Sequence, residues 1–126
     1  MIHFSLKTLH CILGKNNLQN EYVTWKLGRK NDTWFHAKDL HGAHVIITTP
    51  DPDEQLIRDA AMLAAWYSKG RFSSSVPVNY CLVKQLKKIP GSKGSFVSLS
   101  TYKTIYIDPD AAYIQQLIDE HMVHQK

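Results

Sequence analysis

Between Asp51 and Gly70 the sequence spells a helix with a face too small to be anything but a packing surface. Asp51 is placed to cap it, Pro52 suits a first position that needs no backbone N–H, and Glu54 completes a reciprocal capping pair. Leu56, Ala60, Leu63 and Tyr67 recur at helical spacing, and Gly70 stops the run. Alanines at 60, 61, 64 and 65 leave room for another backbone to approach, so this helix is expected to lie flat on a β-sheet.

The strands for such a sheet are legible around it. Thr8 to Leu13 reads as a short strand; Thr33 to Lys38 and His44 to Thr48 read as two strands joined by the turn Asp39-Leu40-His41-Gly42. Val76 to Val83 alternates, with Val78, Tyr80 and Leu82 on one face, and Phe96 to Leu99 with Tyr102 to Ile107 suggests a hairpin around Ser100-Thr101. A helix capped by Asn16 or Asn17 is expected to run to about Lys30, with Leu18, Tyr22 and Trp25 along one side. A last helix, over about 109–123, starts at Asp108-Pro109-Asp110 and buries Ile114, Leu117, Ile118 and Met122. The pattern predicts one α+β domain over residues 1–126, a mostly antiparallel sheet with about three helices packed on it; strand order does not follow from it.

Hydrophobic residues make up 44% and charged residues 21% of the 126, which suits a globular fold and excludes a fibrous or disordered chain. No apolar run approaches the ~20 residues that cross a bilayer, and Met1 to Lys7 lacks the grammar of a signal peptide, so the cytoplasm is the expected compartment and no membrane partner is expected. Cys11 and Cys81 form neither a CxxC motif nor a disulfide framework.

The net charge of +4 says less than its distribution. From Ala60 to Ile107 there is no Asp or Glu, yet Lys69, Arg71, Lys84, Lys87, Lys88, Lys93 and Lys103 fall inside that stretch. Lys15, Lys26, Arg29 and Lys30 are offset only by Glu21 before Asp32, while the acids gather at 51–54 and 108–120. Such segregation predicts one basic face, the footprint of a polyanion binder; a solvated lysine face is the alternative.

Trp34 to His44 is the densest segment. On a strand, His36 and Lys38 share the Trp34 face while Phe35 and Ala37 point the other way. An indole, an imidazole and an ammonium side by side suit a base and a phosphate. His41 and His44 have H-x-x-H spacing, but no cysteine or glutamate lies near and no standard zinc module matches, and buried structural histidines are a third reading. Asp39 beside His36 or His44, with Ser68 or Ser73 to Ser75, could be read as a hydrolase, but there is no nucleophile elbow, carboxylate pair or Gly-rich phosphate loop. Gly14-Lys15-Asn16-Asn17 is a helix start with a lysine beside free amides, suited to an anion or simply to capping. Ser68-Lys69-Gly70-Arg71 and Ser73-Ser74-Ser75 interleave cations and hydroxyls, as a phosphodiester backbone would require, although the same cations could only complement a helix C-terminus. Lys84, Lys87, Lys88 and Lys93 sit on a basic loop that could follow a backbone without reading sequence.

These segments resemble one family. Gly14-Lys15-Asn16-Asn17-x-Gln19-Asn20, Asp32-x-Trp34-Phe35-His36-Ala37-Lys38-Asp39-x-x-Gly42-x-His44-Val45-Ile46-Ile47, Ala60-Ala61-x-x-Ala64-Ala65-Trp66-Tyr67-Ser68-Lys69-Gly70-Arg71 and Ser73-Ser74-Ser75-Val76-Pro77-Val78 look like the signature of the NFACT-R RNA-binding domain. Val83-Lys84-Gln85-x-Lys87-Lys88, Gly91-x-Lys93, Gly94-x-Phe96-Val97 and Lys103-Thr104-Ile105-x-Ile107-x-Pro109-Asp110 continue it in order, so the match runs from about 9 to 110. The resemblance implies a non-enzymatic module, with no cofactor or metal, that contacts tRNA or ribosomal RNA on the large ribosomal subunit. Its implied contacts are Lys15, Asn16, Asn17, Asn20, Trp34, His36, Lys38, Asp39, His44, Ser68, Lys69, Arg71, Ser74, Lys84, Lys87, Lys88 and Lys93. Full-length members are ribosome-associated quality-control factors that recruit tRNA to extend C-terminal tails without a template. This sequence holds no counterpart of their N-terminal glycosylase-like domain or helical arm, so tail synthesis is not implied for it. A second implied reading is a fibronectin- or fibrinogen-binding adhesin domain, displayed by a non-classical route. A third is a tRNA-modification-associated or metal-dependent protein centred on His36, Asp39 and His44. Two positions depart from the family pattern: Gly28 stands where a helical alanine is usual, and His41 stands in place of a proline.

Overall fold

The computed structural model describes residues 1–90 and 96–124. Eight strands are present among them: β1 (Ile2–Leu6), β2 (Leu9–Leu13), β3 (Thr33–Ala37), β4 (Val45–Ile47), β5 (Val76–Leu82), β6 (Leu86–Lys88), β7 (Val97–Leu99) and β8 (Lys103–Ile107). Six form one antiparallel sheet in the order β1-β2-β4-β3-β5-β8, and β6 pairs with β7 in a separate ribbon. Helices α1 (Asn17–Tyr22), α2 (Glu54–Trp66) and α3 (Ala111–His121) complete an α+β fold.

Helix α2 lies flat across the sheet, and Ala60, Ala61, Ala64 and Ala65 are all fully buried there. Phe4, Leu6, Leu13, Phe35, Ala37, Val45, Val78 and Ile107 meet it from the sheet, and Ile114 and Leu117 from α3. The Tyr113 hydroxyl of α3 donates to Asp59 of α2 at 2.5 Å. The cap of α2 is Asp53 rather than Asp51. Its carboxylate accepts from Leu56 N at 2.9 Å and pairs with Lys7 at 2.6 Å, while the Asp51 N–H donates to Thr49 Oγ1 in the preceding turn. The helix also ends before Gly70. After Trp66 the chain leaves to bond with residues 41–43, and Ser68 closes the last turn by donating to Ala65 O and accepting from Gly70 N.

The opposite face of the sheet carries a smaller core of Val23, Trp34, Ile46, Cys81, Val83 and Leu86. It is covered by a π-helical turn over Val23–Leu27 and by the β6–β7 ribbon. The first helix is therefore shorter than Asn16-to-Lys30. Asn20, Val23 and Thr24, at i, i+3 and i+4, form the buried side, and Leu18 and Tyr22, expected on a packed side, lie opposite at 79% and 47% exposed. Gly28 stands just past this turn, where a Cβ would lie 2.6 Å from the Thr24 carbonyl.

Two further expectations change. β7 and β8 do not pair with each other. Ser100, anchored through its N–H and hydroxyl to Gln85 O at 3.1 Å each, is where the chain passes from ribbon to sheet. Residues 84–88, read as a loop, instead hold a single 3₁₀ turn and then β6. The first strand, β1, was not signalled. It pairs with β2 through a two-residue turn in which Lys7 and Thr8 both take positive φ, 49° and 67°, a conformation normally marked by Asn or Gly.

Candidate nucleic-acid interface

β3 alternates as expected: Phe35 and Ala37 enter the α2 core, while Trp34 and His36 face the other side. Their surroundings are fixed by two polar residues of the first helical segment. Asn20 donates to Gly42 O at 3.0 Å and accepts from His44 N at 2.9 Å, clamping the β3–β4 connection against α1. Thr24 Oγ1 accepts from the Trp34 indole at 3.1 Å and lies 2.7 Å from His44 Nδ1. Gly42 bridges to Ser68, whose Cβ would be 2.6 Å from any Cβ at position 42. A glycine is thus required for the 41–43 segment to seat against 67–69.

The result is a ring cluster. Trp34 and His44 meet edge-on at 5.1 Å, His36 and His44 at 5.0 Å, and Trp34 and His36 tilt at 5.7 Å. Burial lowers the His44 pKa to about 3, helped by His36. Burial likewise lowers that of His36 to about 4, with His41 adding to the effect and Asp39 opposing it. Both imidazoles are neutral at pH 7. They floor a cavity of about 400 Å³, bordered by Asn17, Lys38, Asp39, His41 and Asn79 and by Phe96, Val97 and Leu99 of the ribbon side. Trp34 is 1% exposed, so it supports the cavity from beneath and offers no face on which a base could stack.

A second depression, about 370 Å³, adjoins the first across Asn17, His41 and Gly42. Here Lys15 and Asn16 at the start of α1 meet Ser68, Lys69 and Arg71, more than fifty positions later in the chain. Asn16 is occupied as the α1 cap, accepting from Gln19 N at 2.9 Å. Arg71 lies 4.2 Å over the Trp66 ring and 5.3 Å from that of Phe72, which is 89% exposed. Among the described residues Lys15, Lys69 and Arg71 enter no ion pair.

The candidates thus divide. Lys15, Asn16, Asn17, His36, Lys38, Asp39, Lys69 and Arg71 border the two depressions, and Asn20, Trp34, His44 and Ser68 form their buried frame. Ser74, Lys84, Lys87 and Lys88 border neither. Lys88 instead stands 5.4 Å over Trp25 and 3.9 Å from Glu21, and Lys93 lies outside the described residues. Among the described residues no three His, Cys, Asp or Glu side chains converge as a metal site. Phe96, Trp66 and Phe72 also border or flank the two depressions and are not among the contacts that the sequence implies. Their only signal is that each is a large aromatic beside a basic segment.

The sequence profile of the NFACT protein RNA-binding domain matches residues 1–101. The chain is 43% identical over 113 residues to the Rqc2 homolog RqcH of Bacillus subtilis, covering 90% of this chain and 20% of that protein. It is 45% identical over 106 residues to the Rqc2 homolog RqcH of Streptococcus pneumoniae, covering 83% and 19%. The chain therefore spans about a fifth of the length of these curated relatives. The C-terminal part of the fibronectin/fibrinogen-binding protein from Streptococcus suis superposes with a TM-score of 0.86 at 39% identity, over 92% of this chain and 48% of that one.

Proposed function

The chain belongs to the NFACT RNA-binding domain family, and from that premise we propose that it is a non-enzymatic module gripping the phosphate backbone of folded RNA. The observation that carries this reading is the meeting of Lys15 with Lys69 and Arg71 around one depression. Three cations that enter no ion pair among the described residues are available to phosphates, and the Ser68 and Asn16 neighbourhoods keep them on rigid element ends. Arg71 is further pre-oriented by Trp66. The RNA is tRNA or ribosomal RNA of the large subunit, in keeping with relatives named as Rqc2 homologs. Lys84, Lys87 and Lys88 supply a separate, weaker contact.

The test is titration of labelled tRNA and of a ribosomal-RNA fragment at two salt concentrations, with an unstructured RNA as control. Salt-sensitive binding that prefers the folded RNAs is expected; no binding at low salt contradicts the reading. A fibronectin- or fibrinogen-binding role attaches to this chain only through the name of the S. suis relative. Binding to those proteins that survives nuclease and high salt would be its sign.

A further inference from the structure

We propose that the cavity over His36 and His44 receives one unstacked nucleobase of the RNA whose phosphates the neighbouring cations hold. This deepens the reading above and rests on RNA being the ligand. The cavity volume of about 400 Å³ lies near the lower end of the ~300–1,000 Å³ typical of small-molecule sites, which suits one base and not a stretch of helix. The imidazole of His36 and the side-chain amide of Asn79, whose Oδ1 also accepts from Thr104 Oγ1, line it and supply the donor and acceptor chemistry a base edge requires, while His44, 2% exposed, belongs to its buried frame. At its rim Phe96 is 56% exposed, an uncovered ring on which a base can stack.

Charge separates the two depressions. The first sets Lys38 against Asp39 over neutral imidazoles and so carries little net charge, whereas Lys15, Lys69 and Arg71 give the second three cations and a better anion site. The two share Asn17, His41 and Gly42 as a common wall, so adjoining parts of one strand can occupy both.

The experiment compares a stem–loop RNA having an unpaired loop with a blunt duplex of the same stem, using the full chain. Loop nucleotides are replaced one at a time by abasic sites. One such replacement is expected to weaken loop binding about 5- to 150-fold, the range of a lost base–aromatic stack. Phe96→Ala, at an exposed position, should weaken loop binding similarly, leave duplex binding and its salt slope unchanged, and abolish the abasic effect. His36→Ala, checked for folding by circular dichroism, should do the same. Free nucleosides lack phosphate contacts and should displace the RNA only at millimolar concentration; displacement at micromolar concentration would overturn an RNA base as the occupant. Insensitivity to abasic replacement at every loop position, or equal weakening of loop and duplex by Phe96→Ala, would overturn the base site while leaving the phosphate grip standing. Absence of binding to either RNA at low salt would overturn both.

Discussion

The two faces of the sheet are built from the same strands on opposite terms. On the α2 face, Phe35 and Ala37 of β3 join an apolar core whose polar contacts lie at its edge, at the helix ends and where Tyr113 of α3 donates to Asp59 of α2. On the other, Trp34 and His36 of the same strand belong to a cluster held by directed hydrogen bonds from Asn20 and Thr24. The first face resists by volume and the second by geometry. A loss on the first should lower stability, and a loss on the second should disturb the depressions as well.

The largest effect is expected from Phe35→Ala, which opens a cavity under α2 and should cost about 3–5 kcal/mol in denaturant unfolding. Asn20→Ala leaves Gly42 O and His44 N without their partner. At about 1–3 kcal/mol for the buried His44 N–H and less for the part-buried Gly42 carbonyl, which water can reach, it should destabilise less than Phe35→Ala. It should also shift the NMR signals of His36 and His44, which Phe35→Ala should largely spare.

Protonation offers a third way to separate the faces. His36 and His44 have folded pKa values of about 4 and about 3, below the 6.5 of an unstructured histidine. Between these limits the unfolded chain binds more protons. The stability contribution is therefore complete above pH 6.5 and is lost as pH falls toward 4, with a slope approaching about 1.4 kcal/mol per pH unit per histidine. His36→Gln should flatten part of that slope; a slope unaltered by the substitution would show that the imidazole is solvated.

The sequence made the first face easier to read than the second. Helix α2 and strands β3 and β4 follow from periodicity, because burial on one side leaves a period in the chain; the cap of α2 does not, since Asp53 and not Asp51 takes it. β1 was hidden by a turn whose Lys7 and Thr8 carry none of the usual φ-positive chemistry. The π-helical turn was equally hidden, since one extra residue after Tyr22 leaves no mark on the spacing of Leu18 and Tyr22, and the packed side of the first helical segment is set by Asn20, Val23 and Thr24 instead. Of the interface, the Trp34–His36 alternation and both cationic segments were legible, but their meeting was not. Lys15 reaches Lys69 only because Gly42 lets the β3–β4 connection bridge to Ser68 while Asn20 ties it to α1. Likewise, Lys87 and Lys88 could not be assigned to another site before β6 was seen to pair with β7.

The smallest expected change in stability accompanies the most informative change in binding. Lys69→Ala with Arg71→Ala alters exposed side chains and should leave unfolding within about 0.5 kcal/mol of the parent. The decisive measurement is the slope of log affinity for tRNA against log salt in this double variant, beside Lys87→Ala with Lys88→Ala. The account predicts a slope reduced by roughly 1.4–1.8 when Lys69 and Arg71 are removed, with a smaller change for the β6 pair. An unchanged slope for Lys69→Ala with Arg71→Ala, or a larger loss from Lys87 and Lys88, would contradict the placement of the phosphate grip.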